Sequence, residues 1–375
     1  MPILQTIMES DLIQNRTYFS SYENLEVHKL MLEDHQRTIS YRKAILENKE
    51  YFKDKVVMDV GCGTGILSIF CAQAGAKKVF AVEASNIAEL AKEVVKENHF
   101  ENVIEVLHSK VEDVVLPDNM KVDAIVSEWM GFYLLHEGML DSVLLARDKF
   151  LKNGGEMFPE SAVIYVAPCS VSSLYEKWEN FHGVSLSSFA KHLRSDKSEK
   201  PEILQIKPED LLGDEIALNW INLREDTVQD LDSYSVQHVV GAKKNGRYQG
   251  ICVWFECNFP ELSGENRIVL NTGPFHEQTH WKQTVILLPD EQMVEEKEPI
   301  AFKLDMKRDD VNSRRYNLQL SLLDPEEIEH PMPCTCHMTK CILINAVMEQ
   351  QTQHALSQGN VETTNVLEED EIDSD

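Results

Sequence analysis

Two short segments of the sequence carry residues whose types and spacing could do chemistry. The first is the glycine cluster Asp59-Val-Gly-Cys-Gly-Thr-Gly65, which lies between an apolar run and a helical pattern. Glycines at such a turn let the backbone approach a ligand closely. In the second, Glu128 and Glu137 lie nine residues apart. Paired carboxylates can act as general acid and base, bind a metal or hold a cation.

The surroundings of the glycine cluster predict a nucleoside ligand. Glu83 ends the next apolar run, 22 residues after Gly61, where a carboxylate can accept hydrogen bonds from both ribose hydroxyls. A dinucleotide fingerprint would place its third glycine where Ile66 stands, so nothing here is arranged for a diphosphate. Asp59 would bring negative charge beside the pocket, which suits a cationic cofactor. These features favour S-adenosylmethionine over NAD, with Glu112 as a candidate for the adenine edge.

The neighbours of the two glutamates favour a bound cation. Trp129, Met130, Phe132 and Tyr133 surround them in the sequence, and apolar surroundings make a carboxylate costly unless a cation neutralises it. A guanidinium fits best because its planar fork bonds carboxylates bidentately and keeps its charge. A metal site would need further ligands nearby, and His136 is the only candidate in this segment of the sequence. Two exposed glutamates in surface ion pairs remain the alternative.

Alternating strands and helices must position these groups. Residues 51–158 alternate short apolar runs with helical patterns, which predicts a parallel, doubly wound, Rossmann-like sheet. Both segments then lie at the carboxyl ends of strands, where such sheets bind ligands. The predicted strands are Val56–Val60, Lys78–Glu83, Val103–Leu107 and Val122–Val126, and the predicted helices are Ile66 to about Ala74 and Ile87–Asn98. Residues 1–50 are expected to form amphipathic helices.

The second half of the chain has a different pattern. Short runs that alternate apolar and polar residues dominate residues 159–346, which predicts an antiparallel sandwich or barrel. A segment at about 170–207 has helical propensity and carries large apolar residues, as expected of an inserted arm that seeks a partner surface or of ordinary core packing. Residues 347–375 end in an acidic run, which predicts a disordered tail.

The composition limits the partners and the compartment. The chain has 375 residues, 63 acidic and 36 basic, and its formal charge of −27 repels nucleic acid and attracts cationic partners such as basic peptides. We find no apolar run long enough to span a membrane and no secretory signal, and the eight cysteines are scattered. We therefore expect a cytoplasmic or nuclear protein that binds neither nucleic acid directly nor membranes.

One cysteine-rich segment raises the question of a metal. Cys334, Cys336, His337 and Cys341 offer four soft ligands within eight residues. Against a zinc site, no second pair of ligands occurs at zinc-ribbon spacing, and four ligands packed so tightly would strain the loop. We therefore expect no metal.

Five motifs together resemble the protein arginine N-methyltransferases, from Tyr18 to about Ala346. The resemblance implies transfer of methyl groups from S-adenosylmethionine to the guanidino nitrogens of arginine in basic, histone-like or Gly/Arg-rich protein segments. Thr279-His-Trp281 resembles the type I version of its motif, which implies monomethyl and asymmetric dimethylarginine as products. A homodimer formed through the arm is also implied. The motifs are Tyr18-Phe-Ser-Ser-Tyr22, Asp59-Val-Gly-Cys-Gly-Thr-Gly65, Val82-Glu83, Ser127-Glu-Trp-Met-Gly131 with Glu137, and Thr279-His-Trp281.

The resemblance also implies a role for each matching residue. Glu128 and Glu137 would grip the substrate guanidinium, and His280 with Asp34 would form a proton-relay pair. The implied substrate-binding residues are Tyr18, Met139 and Trp281. The implied cofactor-binding residues are Tyr22, His28, Met31, Arg37, Asp59, Gly61, Gly63, Gly65, Glu83 and Glu112. The alternative is a catalytically weak or inactive member that binds Arg-rich proteins as a scaffold.

Overall fold

The first part of the chain forms a parallel sheet with helices around it. The structure, a computed structural model, describes residues 18–264 and 267–362. The strands pair in the order β3-β2-β1-β4-β5, all parallel. They are β1 Val56–Val60, β2 Lys78–Glu83, β3 Ile104–His108, β4 Val122–Val126 and β5 Leu151–Phe158. The helices are α1 Leu25–Glu33, α2 His35–Leu46, α3 Lys49–Phe52, α4 Ile66–Gln73, α5 Ile87–Glu97 and α6 Met139–Phe150.

The central strands form because their apolar residues are covered on both faces. β1, β2 and β4 are almost entirely buried and have the bounds that the sequence predicts. β5 was not predicted, because the pair Gly154-Gly155 is typical of a turn and not of a strand. A Cβ at Gly155 would lie 2.8 Å from the carbonyl oxygen of Asp123, so glycine lets the backbone of β5 approach β4. The predicted doubly wound fold is confirmed.

The second part of the chain is antiparallel. One sheet pairs its strands in the order β7-β12-β10-β6-β8, with β11 beside β10, and a smaller sheet has the order β14-β13-β9. The strands are β6 Ser161–Cys169, β7 Glu202–Leu204, β8 Ile216–Asn222, β9 Ser233–Gly241, β10 Gly246–Asn258, β11 Val269–Asn271, β12 Gln283–Val294, β13 Pro299–Arg308 and β14 Tyr316–Leu322. This agrees with the predicted antiparallel barrel.

The predicted arm contains helices α7 Ser172–Tyr175 and α8 Ser187–Lys197. Its large apolar residues divide into two groups. Leu174 and Trp178 pack against a buried cluster of the antiparallel sheet. Phe181 and Phe189 flank the Trp178 ring and are 40% and 50% exposed. Core packing therefore accounts for Leu174 and Trp178, whereas the exposed Phe181 and Phe189 leave the partner-surface interpretation as a prediction.

The end of the chain differs from the predicted domain boundary. The barrel ends with β14 at Leu322, and a helix, α9 Thr339–Glu362, crosses the position expected to separate barrel from disordered tail. Residues 339–356 are rich in Ala, Leu, Met and Gln, which favour a helix. The final acidic run, 363–375, and residues 1–17 of the predicted N-terminal helices lie outside the described residues. Across the described part of the chain, no helix is long and apolar enough to cross a membrane.

Candidate active site

A cavity of about 380 Å³ opens at the carboxyl ends of β1, β2 and β4. This is the size range of small-molecule sites. Most of the predicted site residues line it, including both glutamates of the loop after β4. The predicted residues that line the cavity are Tyr18, Tyr22, His28, Met31, Arg37, Gly61, Gly63, Glu83, Glu112, Glu128, Glu137, Met139, His280 and Trp281. Asp34, Asp59 and Gly65 do not line it.

The glycine turn forms the floor of the cavity. The backbone at Gly61 and Gly63 has φ of +74° and +53°, which glycine adopts without strain. A Cβ at Gly61 would lie 2.3 Å from the Cε of Met139. The amide of Gly63 donates a 3.0 Å hydrogen bond to Oε2 of Glu83, and the amide and hydroxyl of Ser85 donate to Oε1 at 2.8 Å. The Glu83 carboxylate is therefore fixed at the rim of the turn.

Glu128 is held by a buried ion pair. Its Oε2 accepts a 2.7 Å hydrogen bond from Nε of Arg37, and both side chains are under 10% exposed. Nη1 of Arg37 also donates to the carbonyl of Met31 at 3.1 Å. The indole of Trp281 donates to the carbonyl of Met130, which ties the glutamate loop to the barrel. The sequence did not predict that Arg37 pairs with Glu128.

Glu137 is held by backbone and side-chain contacts. Its φ is +76°, and its amide donates to the carbonyl of Arg314 at 2.7 Å. The hydroxyl of Tyr22 donates to its carboxylate at 2.5 Å. Burial raises the pKa of Glu137 above its usual value; the Tyr22 hydrogen bond opposes this, and the charge of Glu128 adds to it. Two carboxylates with repelling charges thus share one cavity, which favours a bound cation.

Asp34 joins His280 to the N-terminus of α2. Its Oδ2 accepts hydrogen bonds from Nδ1 of His280 at 2.7 Å and from the His280 amide at 2.8 Å, and its Oδ1 accepts from the Arg37 amide at 3.0 Å. Burial alone would raise the pKa of Asp34, but these hydrogen bonds lower it below its usual value. The ionised carboxylate holds the Nδ1–H tautomer of His280, which makes Nε2 an acceptor.

Asp59 and Gly65 support the turn from behind. The alternation of β1 turns Asp59 into the core, where it is 0% exposed and accepts a 2.7 Å hydrogen bond from Ser68. Gly65 caps α4 with φ +85°, and a Cβ there would touch Ala91 at 3.7 Å. The direct cofactor contacts predicted for these two residues are therefore absent from the cavity wall. Their position in the motif does not reveal which side of the turn they face.

Arg314 is a cavity residue that the sequence analysis missed. Its guanidinium carbon lies 4.0 Å from the centre of the Tyr18 ring, and its Nη1 donates to the carbonyl of Glu137 at 2.6 Å. Arg314 lies in the loop between β13 and β14, 177 residues from Glu137. Nothing in the local spacing marks this residue, because only the tertiary fold brings it to the cavity.

The parallel sheet and the cavity at its carboxyl edge define a Rossmann-like ligand-binding domain. A family model described as ribosomal protein L11 methyltransferase matches residues 35–137. Another, described as the arginine methyltransferase oligomerization subdomain, matches residues 160–323.

Curated relatives identify the family. The chain is 38% identical over 333 residues to the probable protein arginine N-methyltransferase 6.1 of Oryza sativa subsp. japonica, covering 82% of this chain and 85% of the relative. It is 38% identical over 317 residues to protein arginine N-methyltransferase 1 of Saccharomyces cerevisiae, covering 81% and 87%. The chain belongs to the protein arginine N-methyltransferase family.

Solved structures agree with this assignment. The chain matches the Trypanosoma brucei PRMT1 enzyme-prozyme heterotetrameric complex with AdoHcy at a TM-score of 0.71 and 34% identity, over 83% of this chain and 98% of that one. It also matches a crystal structure of PRMT6 with SAH at a TM-score of 0.69 and 33% identity, over 80% and 100%.

Proposed function

We propose that this protein is a type I arginine methyltransferase, which forms monomethyl and asymmetric dimethylarginine in basic, histone-like or Gly/Arg-rich protein segments. The observation that carries the proposal is the cavity that Glu128 and Glu137 share, beside the His280 and Asp34 pair. A guanidinium is the cation that two adjacent carboxylates bind best, because it can bond both at once and keeps its charge.

S-adenosylmethionine is the methyl donor. The two solved relatives named above hold its demethylated product. The residues that line this cavity fit the same molecule. Glu83, at the carboxyl end of β2, would accept from ribose hydroxyls, and the glycine backbone at Gly61 and Gly63, which lines the cavity without side chains, would let a ligand approach closely. Tyr22, His28, Met31, Arg37 and Glu112 would line the remainder of the bound cofactor. When bound, the cofactor supplies an electrophilic methyl group.

The work of this chain's own residues is to hold the acceptor and to keep water out. Glu128, fixed by Arg37, and Glu137, fixed by Tyr22, would grip one edge of the guanidinium. Positive charge drawn toward that edge leaves more electron density on the remaining nitrogen. Positioning of this kind can account for up to about 7–11 kcal/mol of barrier reduction. Tyr18, Met139 and Trp281 would form the apolar walls.

The proton of the methylated nitrogen needs an acceptor at the cavity wall. The acceptor is Nε2 of His280, whose tautomer Asp34 sets, or the carboxylate of Glu137. Methyl transfer from the sulfonium adds one positive charge to the guanidinium, and loss of one N–H proton restores the single charge of methylguanidinium. The raised pKa of Glu137 suits a group that takes up this proton.

The partners and compartment of this protein are part of the proposal. The chain forms a homodimer through the arm at 170–207, where Phe181 and Phe189 are exposed. Its substrates are basic proteins, since the charge of −27 attracts them. It acts in the cytoplasm, the nucleus or both, without direct binding of nucleic acid or membranes.

Analysis of the methylated products tests the reaction. The purified chain is incubated with S-adenosylmethionine and a Gly/Arg-rich peptide, and the hydrolysed peptide is separated by chromatography. We expect monomethyl and asymmetric dimethylarginine, and no product from the same peptide with every Arg replaced by Lys. Symmetric dimethylarginine would contradict the type I assignment.

The ion pair of Arg37 with Glu128 favours one second candidate. An Arg that already neutralises one glutamate would weaken the grip on the substrate, as in a scaffold that binds Arg-rich proteins without methylating them. Peptide binding without any labelled methyl product would support that candidate.

A further inference from the structure

Four potential metal ligands converge outside the active site, in the segment between β14 and α9. The side chains of His330, Cys334, Cys336 and Cys341 place their ligand atoms within 4.8 Å of one another. The three cysteines are 3–4% exposed and form a small buried cluster of their own. The sequence spacing is H-x3-C-x-C-x4-C. The fold brings in His330 in place of His337, whose side chain is exposed.

The ring of His330 is oriented to offer Nδ1 to this cluster. Its Nε2 lies 2.8 Å from the carbonyl oxygen of Pro325. A carbonyl can only accept, so Nε2 carries the hydrogen and the neutral ring keeps its lone pair on Nδ1. A hydrogen bond from the second ring nitrogen to a backbone carbonyl is the usual support of a metal-binding histidine.

Hydrogen bonds to the imidazole alone do not account for the cluster. Nδ1 of His330 lies 3.4 Å from Sγ of Cys334, 3.4 Å from Sγ of Cys336 and 3.1 Å from Sγ of Cys341. One lone pair can accept from one thiol, so at least two of the three sulfur atoms converge on Nδ1 without a bond to it. A single cation at the centre would bond all four atoms.

We infer that His330, Cys334, Cys336 and Cys341 bind one structural zinc ion. Zinc takes four thiolate and imidazole ligands in a tetrahedron, with bonds of about 2.3 Å to sulfur and about 2.0 Å to nitrogen. Those bonds place sulfur and nitrogen about 3.5 Å apart and sulfur atoms about 3.8 Å apart. The observed nitrogen–sulfur distances of 3.1–3.4 Å are slightly shorter than the first value, and all four ligand atoms lie within 4.8 Å of one another, so a small outward shift would accommodate the ion.

The ion connects three parts of the chain. Cys341 lies in the first turn of α9, His330 in the loop after β14, and Cys336 at the barrel edge, where a Cβ on Gly241 would lie 2.7 Å from its amide nitrogen. Zinc binding replaces three S–H bonds by three Zn–S bonds and releases up to three protons to solvent. The product is a closed site that fixes α9 against the barrel.

Metal content of the full-length, untagged chain tests this proposal. Elemental analysis by mass spectrometry should find about one zinc per chain after dialysis. His330→Ala and Cys336→Ser should each lower the zinc content at least about tenfold. His337→Ala is the matched control and should keep the wild-type content, because its side chain lies outside the cluster. Chelation should lower the melting temperature of the wild type and of His337→Ala, and change that of His330→Ala far less.

Several results would overturn the proposal. They are a wild-type chain that holds less than about a tenth of a zinc, a mass two hydrogens lower from a disulfide within the cluster, or equal zinc in His330→Ala and the wild type. If Cys336→Ser does not fold, native mass spectrometry of the wild-type chain before and after chelation decides the question alone.

Discussion

Glu137 depends on its backbone for its position to an unusual degree, since a non-glycine residue at φ +76° persists only where its surroundings hold it. The contacts that hold it are the Arg314 carbonyl and the Tyr22 hydroxyl. A substitution that keeps its shape therefore isolates the contribution of its charge to catalysis.

Glu137→Gln should abolish methyl transfer and leave cofactor binding intact. The amide oxygen can still accept from Tyr22, but the neutral side chain no longer balances a guanidinium, so we expect a loss of about 10²–10³-fold in kcat. Calorimetry measures cofactor binding, and a radiolabelled methyl assay measures turnover. Glu89→Gln, at an exposed glutamate, is the control. Turnover equal to that of the wild type would rule out the role proposed for Glu137.

Asp59 gives the free protein a pH-dependent stability. Burial raises its pKa from 3.8 in the unfolded chain to about 7 in the folded one. Between these values the folded protein keeps a proton that the unfolded chain has lost, so stability falls as pH rises, by about 1.4 kcal/mol per pH unit and about 4 kcal/mol in all. Asp59→Asn removes this term. Relative to the wild type, this variant should therefore gain about 3 kcal/mol in free energy of unfolding between pH 5 and pH 8. Its melting temperature relative to the wild type should rise accordingly. Parallel melting curves would contradict the shift.

Site residues that lie within a sequence motif could be predicted. Site residues that only the tertiary fold brings to the site could not. Glu83 ends β2, and Glu128 and Glu137 lie in the loop after β4, so the sheet topology fixes which edge they occupy. Arg314 and His330 come from loops of the antiparallel domain, whose course depends on tertiary packing. No local spacing connects either residue to the partners it contacts.

At the scale of elements, α2 begins at a residue with two tasks. Asp34 caps the helix through the Arg37 amide and also orients His280. Asp34→Asn should keep the cap, because Asn is as good an N-cap as Asp, and should lower kcat through loss of the charge. Asp34→Ala should also lower stability by about 1 kcal/mol. Thermal melting and the methyl assay separate the two effects. Equal activity in the wild type and Asp34→Asn would show that the charge is dispensable.

The arm is the element proposed to join two copies of the chain. Deleting Ser173–Glu199 should yield a monomer of low activity, because the exposed Phe181 and Phe189 are lost with it. Light scattering should report a mass near 42.9 kDa per particle, less the deleted segment. The double substitution Phe181→Ser with Phe189→Ser is milder than the deletion, because it removes the two exposed rings and keeps the rest of the arm. Phe275→Ser, at a Phe that is 60% exposed elsewhere, is the matched control and should stay dimeric. A dimeric mass for the deletion would exclude the arm.

The elements predicted most accurately are those with the clearest apolar pattern in the sequence. β1 and β2 are apolar runs bounded by polar residues and turns, and their ends coincide with the prediction. β7 and β8 are harder to recognise in the sequence, because they are short or half-buried and their alternation is weak. The end of the barrel was predicted at residue 346, whereas its last strand ends at Leu322. The apolar residues of α9, such as the exposed Leu343, form a run that is also typical of a strand.

At the scale of the whole molecule, we expect charge to govern the encounter with substrate. The excess of 27 negative charges should draw basic peptides toward the surface, whereas the cavity is proposed to bind one guanidinium at close range. Screening separates the two, because the Debye length falls from about 14 Å at about 0.05 M salt to about 4 Å at about 0.5 M. Buried pairs in the cavity are screened far less.

Salt should therefore raise KM for a basic substrate and leave kcat nearly unchanged. A peptide with one Arg among Lys residues should lose more than about tenfold in kcat/KM over this salt range. The same peptide with Ser in place of each Lys should lose much less, since it responds only to the cavity. Initial rates of methyl transfer measure both peptides under identical conditions. If the two peptides lose the same factor, the surface charge has no part in substrate capture, and selection rests on the two glutamates alone.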